Sequence, residues 1–213
     1  DHLIRLAIEH PWGSALSYVG VERSPARRKA ARSLTGGVFV DSLRAMAKHV
    51  EAAVISNELF DSLPFNIARR VGCTWLEHRV GLDAERFVFV TAVASDETTH
   101  YGDLYGVFLP ENGIIEMRKG LRDVYSGLDQ LADRLSILTI DYGDDYKQLY
   151  NERLSQGTAL AFRAHRASED LLADPGQQDL TCHVNFTQLA EMGREYGLTA
   201  RPLISQADFL AGF

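Results

Sequence analysis

Residues 53–65, AVISNELFDSLPF, constrain this chain more than any other stretch. An apolar run from Ala53 to Ile55 breaks into Asn57, Glu58 and Asp61, then stops at Pro64. That pattern reads as a buried strand opening polar groups into a crevice at its carboxyl end, where α/β proteins bind ligands. Other segments end alike: LSYVGVE at Glu22, VFV before Asp41, and LSILTIDYG at Asp141. The repeated order of strand, polar end and helix predicts an α/β fold with a parallel sheet covered on both faces.

Local signals set the expected elements. An opening helix is expected over LIRLAIEH, with a turn over Pro11 to Ser14. Ser24 followed by Pro25 predicts a helix to about Leu34, closed by Gly36 and Gly37. Residues 42–50 read as helical. After Pro64 the runs FNIARRVG, TWLEHRV and RFVFVTAV alternate as antiparallel strands do. Residues 97–106 read as a loop, and GVFLP with GIIEMR as a hairpin. A helix is expected from Leu121 to Arg134, on a stripe of Val124, Leu128, Leu131 and Leu135. Residues 155–182 read mostly as connections, with short helical patterns in ALAFRAHR and SEDLLAD. VNFTQLAEMGREYG is a helix stopped by Gly197; LTARPLI suggests a strand, and SQADFLAGF a further helix. Both ends read as cut in mid-pattern.

Bulk properties exclude several classes. The 213 residues carry 46% apolar and 24% charged side chains, ordinary for a folded protein. A net charge of -7 argues against a general nucleic-acid surface. The basic run at Arg23, Arg27, Arg28, Lys29 and Arg32 reads first as a solvated helix face. Two distant cysteines, Cys73 and Cys182, indicate neither a disulfide framework nor a paired metal-ligand spacing. No window approaches about 20 continuous apolar residues, so no membrane span is expected. Neither a G-x-S-x-G elbow, a P-loop, nor a G-x-G-x-G loop before Leu3 is present.

Each polar strand end has a chemical reading and a plainer one. Glu22 can accept both hydroxyls of a ribose, or simply sit near a helix dipole. Asp41 can touch an adenine or ribose edge, or cap a helix. If a helical turn begins near Asn57, Glu58 and Asp61 share a face and can orient a cation or accept a proton, with Asn57 as the cap. Asp141, Tyr142 and Gly143 can approach a ligand or form a tight turn. His165 can move a proton near neutral pH or serve packing. Asp179 or Thr181 can cap the following helix. A metal site from Asp141, His165 and His183 has irregular spacing and little support.

The combination of VISNELFDSLPF, TWLEHRV, LTIDYG, GTALAFRAHR and PGQQDLTCHVNF resembles the MidA-like family of S-adenosylmethionine-dependent methyltransferases, over nearly the whole chain. The resemblance implies a class I, Rossmann-like methyltransferase sheet with inserted β/α substrate elements. It divides the chain into a partial cofactor-binding core (1–64), inserted antiparallel strands (65–120) and a return to the core (121–213). The family's glycine-rich loop would lie upstream of the first helix. Glu22, Asp41, Asn57 and Glu58 would bind S-adenosyl-L-methionine. Glu58, Asp61 and His165 would serve catalysis, with Asp141, Tyr142, Asp179 and His183 on the substrate side. The implied acceptor is a protein arginine, on a respiratory complex I subunit in the family's best known case, with no metal and a homodimer left open. The implied compartment is bacterial cytoplasm or the mitochondrial matrix. Two departures, Cys182 and Phe162, put acceptor chemistry in question. The competing expectation is an inactive methyltransferase-fold scaffold or assembly factor, with a metal-dependent hydrolase a distant third.

Overall fold

The computed structural model describes residues 17–212, so the expected opening helix and the Pro11 to Ser14 turn lie outside the described residues. Two compact units result, one within Asp1–Ala53 and Ser126–Ser136, the other within Val54–Tyr125 and Ile137–Phe213.

In the first unit, β1 (Val19–Val21) and β2 (Val38–Val40) pair in parallel, Val19 opposite Val38. Helix α1 (Pro25–Thr35) connects them. Its start is fixed as expected: Pro25 opens it and the Ser24 hydroxyl accepts from Arg27 N–H at 3.4 Å. Gly36 ends it in the left-handed conformation, its N–H on Arg32 O. Residues 42–50 depart from the helix expected there. Only Leu43–Ala45 forms a 3-10 turn, and β3 (His49–Asn57) already begins at His49. β3 pairs with β8 (Ala132–Ile140). The helix expected to Arg134 is α3 (Leu121–Asp129), because Ala132 onward is claimed by that strand.

The second unit is built on a four-stranded antiparallel sheet. Its strands are β4 (Phe65–Val71), β5 (Thr74–Asp83), β6 (Arg86–Val93) and β7 (Ile114–Arg118), in the order β6-β5-β4-β7. This matches the alternation after Pro64, except that Ile114–Arg118 pairs with β4 rather than with GVFLP, whose Gly106–Phe108 is a 3-10 turn. The supposed loop at 97–106 is helix α2 (Asp96–Tyr105). Ser95 caps it, Asp96 and Glu97 complement its dipole, and Thr98, Tyr101, Gly102 and Tyr105 form its buried face. Polar letters hid a one-sided apolar stripe. Gly102 is required there, since a Cβ would stand 2.3 Å from the Trp75 ring. Around it, Ala68, Trp75, Tyr101, Tyr105, Ile115, Met117, Leu149 and Tyr150 form the core.

The remaining elements are short. They are β9 (Gly143–Asp144), α4 (Tyr146–Leu149), β10 (Leu160–Arg163), β11 (Arg166–Ser168), β12 (Asp179–Thr181), β13 (Val184–Asn185), α5 (Phe186–Glu195) and α6 (Gln206–Ala211). ALAFRAHR is thus a β-hairpin, not a helix: Ala164 and His165 both take positive φ, the requirement of a two-residue turn. SEDLLAD is held in turns by the Asp170 carboxylate, which accepts from Leu172 and Ala173 N–H at 3.1 Å each. LTARPLI forms no strand among the described residues. No described helix is long and apolar enough to cross a membrane.

One buried carboxylate ties α2 to the sheet. Glu77 accepts from Thr98 Oγ1 at 2.5 Å, Ser95 N–H at 3.2 Å and Ser95 Oγ at 3.0 Å, with Arg79 alongside. Burial alone would raise its pKa, but these donors outweigh burial and hold it at about 2. The stability it contributes is therefore full above the ordinary value of 4.5 and is lost as pH falls toward 2. Glu77→Gln should cost about 1–3 kcal/mol at pH 7. In urea titrations its deficit against the parent should shrink between pH 4.5 and about 2.

Candidate functional site

The strand ends of β3 and β8 build the site within the second unit. β3 runs through Asn57, and Glu58 then adopts a left-handed φ of 49° while its N–H bonds to Ile140 O at 2.9 Å. That conformation interrupts any helix, so Glu58 and Asp61 do not share a helical face and Asn57 caps no helix. Residues 58–63 form an irregular turn instead. Its N–H groups are satisfied from the neighbouring strand end. Asp141 Oδ2 accepts from Phe60 N–H at 2.9 Å and Asp61 N–H at 3.3 Å, and Asp141 Oδ1 accepts from Tyr142 N–H at 3.0 Å.

That turn carries the Asp61 side chain inward, leaving it 6% exposed. Asp61 Oδ2 accepts from the Tyr142 hydroxyl and from Thr181 Oγ1 at 3.1 Å, and those two hydroxyls also touch each other. Among the described residues Asp61 Oδ1 is buried with no hydrogen-bond partner. A carboxylate oxygen out of water without a donor is costly, so this atom marks where a donor belongs.

The surroundings fix these groups. Arg118 is buried and spends its guanidinium on backbone oxygens: Asp61 O at 2.8 Å and Leu63 O at 3.4 Å from Nη1, Cys182 O at 2.7 Å and His183 O at 3.1 Å from Nη2. It staples the 61–63 turn to the 182–183 segment. Its Nη2 also lies 3.0 Å from Cys182 Sγ, yet burial pushes that thiol up to about 12. Gly143 pairs with Val184, and a Cβ there would stand 2.0 Å from Val184 O. The close approach expected of Gly143 thus serves β9–β13 pairing.

Protonation follows from burial. Desolvation first, then the Asp61 charge, raises the Asp141 carboxyl pKa. Burial, reinforced by the hydrogen bond to Asp61, raises Tyr142, keeping it a donor. His183 packs its ring edge-on to Tyr142 with centroids 5.7 Å apart. Burial and the charges of Arg153 and Arg118 lower its pKa, favouring the neutral imidazole.

The structure therefore brings Asp61, Asp141, Tyr142 and His183 together, with Glu58 at the same strand end. Asp179 lies exposed on β12 opposite Phe162, and His165 occupies the exposed β10–β11 turn; neither carries a hydrogen bond to this cluster among the described residues. Glu22 and Asp41 belong to the first unit. Glu22 ends β1 with one carboxylate oxygen on Ser24 N–H at 2.7 Å, and Asp41 accepts from Ser42 Oγ at 3.3 Å. No three His, Cys, Asp or Glu side chains among the described residues form a metal cage. Sequence reading missed Arg118; it gave Thr181 a capping role and, by the family resemblance, a place in the substrate-side segment from Asp179 to His183. The one available signal for Arg118 was its place at the end of the short strand pattern IIEMR, followed by Lys119.

Comparison with known proteins adds independent information. Residues 3–204 match the family described as "Putative S-adenosyl-L-methionine-dependent methyltransferase". The mitochondrial protein arginine methyltransferase NDUFAF7 of Danio rerio is 27% identical over 169 residues, covering 73% of this chain and 35% of that protein. A Burkholderia thailandensis protein crystallised with S-adenosyl-homocysteine bound matches at 27% identity and TM-score 0.72, over 85% of this chain and 48% of the other. A native crystal structure from the same organism matches equally well, over 50% of its length. This chain thus spans about a third of the curated relative and about half of the solved ones.

Gly143→Ala should destabilise the protein by about 1–3 kcal/mol, because the obstruction is backbone and cannot rotate away. A lowered urea midpoint at unchanged m-value would show it; an unchanged midpoint would contradict the close approach.

Proposed function

The chain belongs to the MidA-like family of S-adenosyl-L-methionine-dependent methyltransferases and has its Rossmann-like α/β fold, and from that premise we propose that it carries methyl transfer to a protein arginine. The observation supporting the acceptor side is the buried, unpartnered oxygen of Asp61 at the end of β3. Arginine is a permanently charged protein side chain with several N–H donors, one of which can meet a single carboxylate oxygen, and that charge favours it over a neutral acceptor.

The residues present fit the cofactor by chemistry. S-adenosyl-L-methionine offers ribose hydroxyls and an ammonium that call for acceptors, a sulfonium that favours nearby negative charge, and a carboxylate that calls for a donor such as the Asn57 amide. Glu22 would accept the ribose hydroxyls, with Asp41 toward the adenine and Asn57 and Glu58 toward the methionine end. When bound, the cofactor supplies an already activated methyl group, so the protein's task is alignment and charge placement.

Asp61 would hold the acceptor guanidinium through Oδ1 and take up the proton that methylation releases. Tyr142 and Thr181, both bonded to Oδ2, would leave Oδ1 as the oxygen free to receive. Asp141 fixes the turn beneath Asp61, and His183 packs Tyr142 in place. Asp179 and His165 would meet more distant parts of a protein substrate. The relative's printed name supports a protein acceptor; a respiratory complex I subunit, in the cytoplasm or the mitochondrial matrix, is the finer form of the same proposal.

Asp61→Asn tests the reading. With labelled S-adenosyl-L-methionine and cellular protein as acceptor, methyl incorporation should fall about 10²–10⁴-fold. S-adenosyl-homocysteine affinity, read by calorimetry, should stay within about threefold of the parent. Incorporation at the parent level, or on residues other than arginine by peptide mass spectrometry, would contradict it.

A further inference from the structure

Strand β7 presents an acceptor and a donor side by side. Ile115 and Met117 turn into the core, so strand alternation puts Glu116 and Arg118 together on the other face. Both are buried. Arg118 takes up backbone oxygens, and Glu116 does the reverse. Its Oε1 accepts from the N–H groups of Thr158 and Ala159, the latter at 3.0 Å. Gly157 makes that approach possible: its φ is +83° and a Cβ would stand 2.5 Å from Glu116 Oε1. Residues 157–159 are thereby fixed just ahead of β10, whose Leu160 lies opposite Thr181.

The turn so fixed offers one side-chain oxygen to the site. Thr158 Oγ1 accepts from His183 N–H at 3.0 Å, while His183 O accepts from Arg118 Nη2 at 3.1 Å. Two residues of one strand face therefore hold both sides of the His183 backbone, Arg118 directly and Glu116 through Thr158. Burial raises the Glu116 carboxyl pKa, and the Thr158 and Ala159 N–H groups, the Arg118 charge and the Thr158 hydroxyl oppose that rise. Thr158 thus acts on Glu116 as well as on His183. One residue further on, Val184 N–H donates to Tyr142 O at 2.9 Å. The His183 ring, edge-on to Tyr142, is placed by this run of backbone bonds.

On the arginine-methylation reading above, we propose that Thr158 is a positioning residue for methyl transfer. Its hydroxyl oxygen sets the His183 backbone, and the His183 ring keeps the Tyr142 hydroxyl on Asp61 Oδ2. Without that oxygen the His183 N–H loses its acceptor, and the segment must shift to find another. Small shifts matter here, because alignment supplies much of the rate once the methyl group is already activated.

Thr158→Val keeps the side-chain shape and removes the oxygen. With labelled S-adenosyl-L-methionine and cellular protein as acceptor, its saturated rate should fall about tenfold or more. Its Michaelis constant for S-adenosyl-L-methionine should stay within about threefold of the parent. Thr158→Ser, which retains the oxygen, should restore the rate to within about threefold of the parent. The nuclear Overhauser contact between the His183 and Tyr142 rings, whose centroids lie 5.7 Å apart, should weaken in the valine variant and persist in the serine one. Thr158→Ala carries the test should the valine variant fail to fold. A valine variant at the parent rate, a serine variant as slow as the valine one, or a lowered rate with the ring contact intact overturns the proposal. A parent that labels no arginine overturns the acceptor reading instead. The ring contact needs no turnover and still decides whether Thr158 positions His183.

Discussion

The Asp141 carboxylate is the constraint on which the site depends. The turn after β3 cannot satisfy its own backbone, because Glu58 leaves the helical region. Asp141 supplies acceptors for the Phe60, Asp61 and Tyr142 N–H groups, welding the end of β8 to the turn that follows β3. Unmet buried N–H groups would each cost about 1–3 kcal/mol. Asp61 and Tyr142 are therefore delivered to one place by one side chain.

Arg118 solves the complementary problem. It bonds to backbone oxygens and a thiol sulfur rather than to a carboxylate, so its charge is spread over two segments. That choice leaves Asp61 without a direct ion pair to Arg118, and its Oδ1 without a hydrogen-bond partner among the described residues. A salt bridge at the same point would have filled the site with the protein's own charge. Buried polar groups arranged this way fix the local geometry at a cost in stability.

Much of this was legible in sequence, and for identifiable reasons. The breaks from apolar to polar at Asn57 and Asp141 located both strand ends, and Ser24 with Pro25 fixed α1. The NExxDxxP and DYG segments led to the family. What failed was local geometry that tertiary contacts decide. The left-handed Glu58 cancelled the helical face assumed for Glu58 and Asp61. α2 was missed because its inward stripe is Thr98, Tyr101, Gly102 and Tyr105, which look polar until Trp75 covers them. Arg118 lies 57 residues from Asp61 in sequence, and no periodicity links them.

The most direct test is the kinetics of Tyr142→Phe in the parent enzyme, which deletes one hydroxyl and no packing volume. The account predicts a fall in kcat of about tenfold or more, with the Michaelis constant for S-adenosyl-L-methionine unchanged. Unchanged kcat would mean that the hydroxyl does not orient Asp61 for the reaction, and the central claim would be wrong.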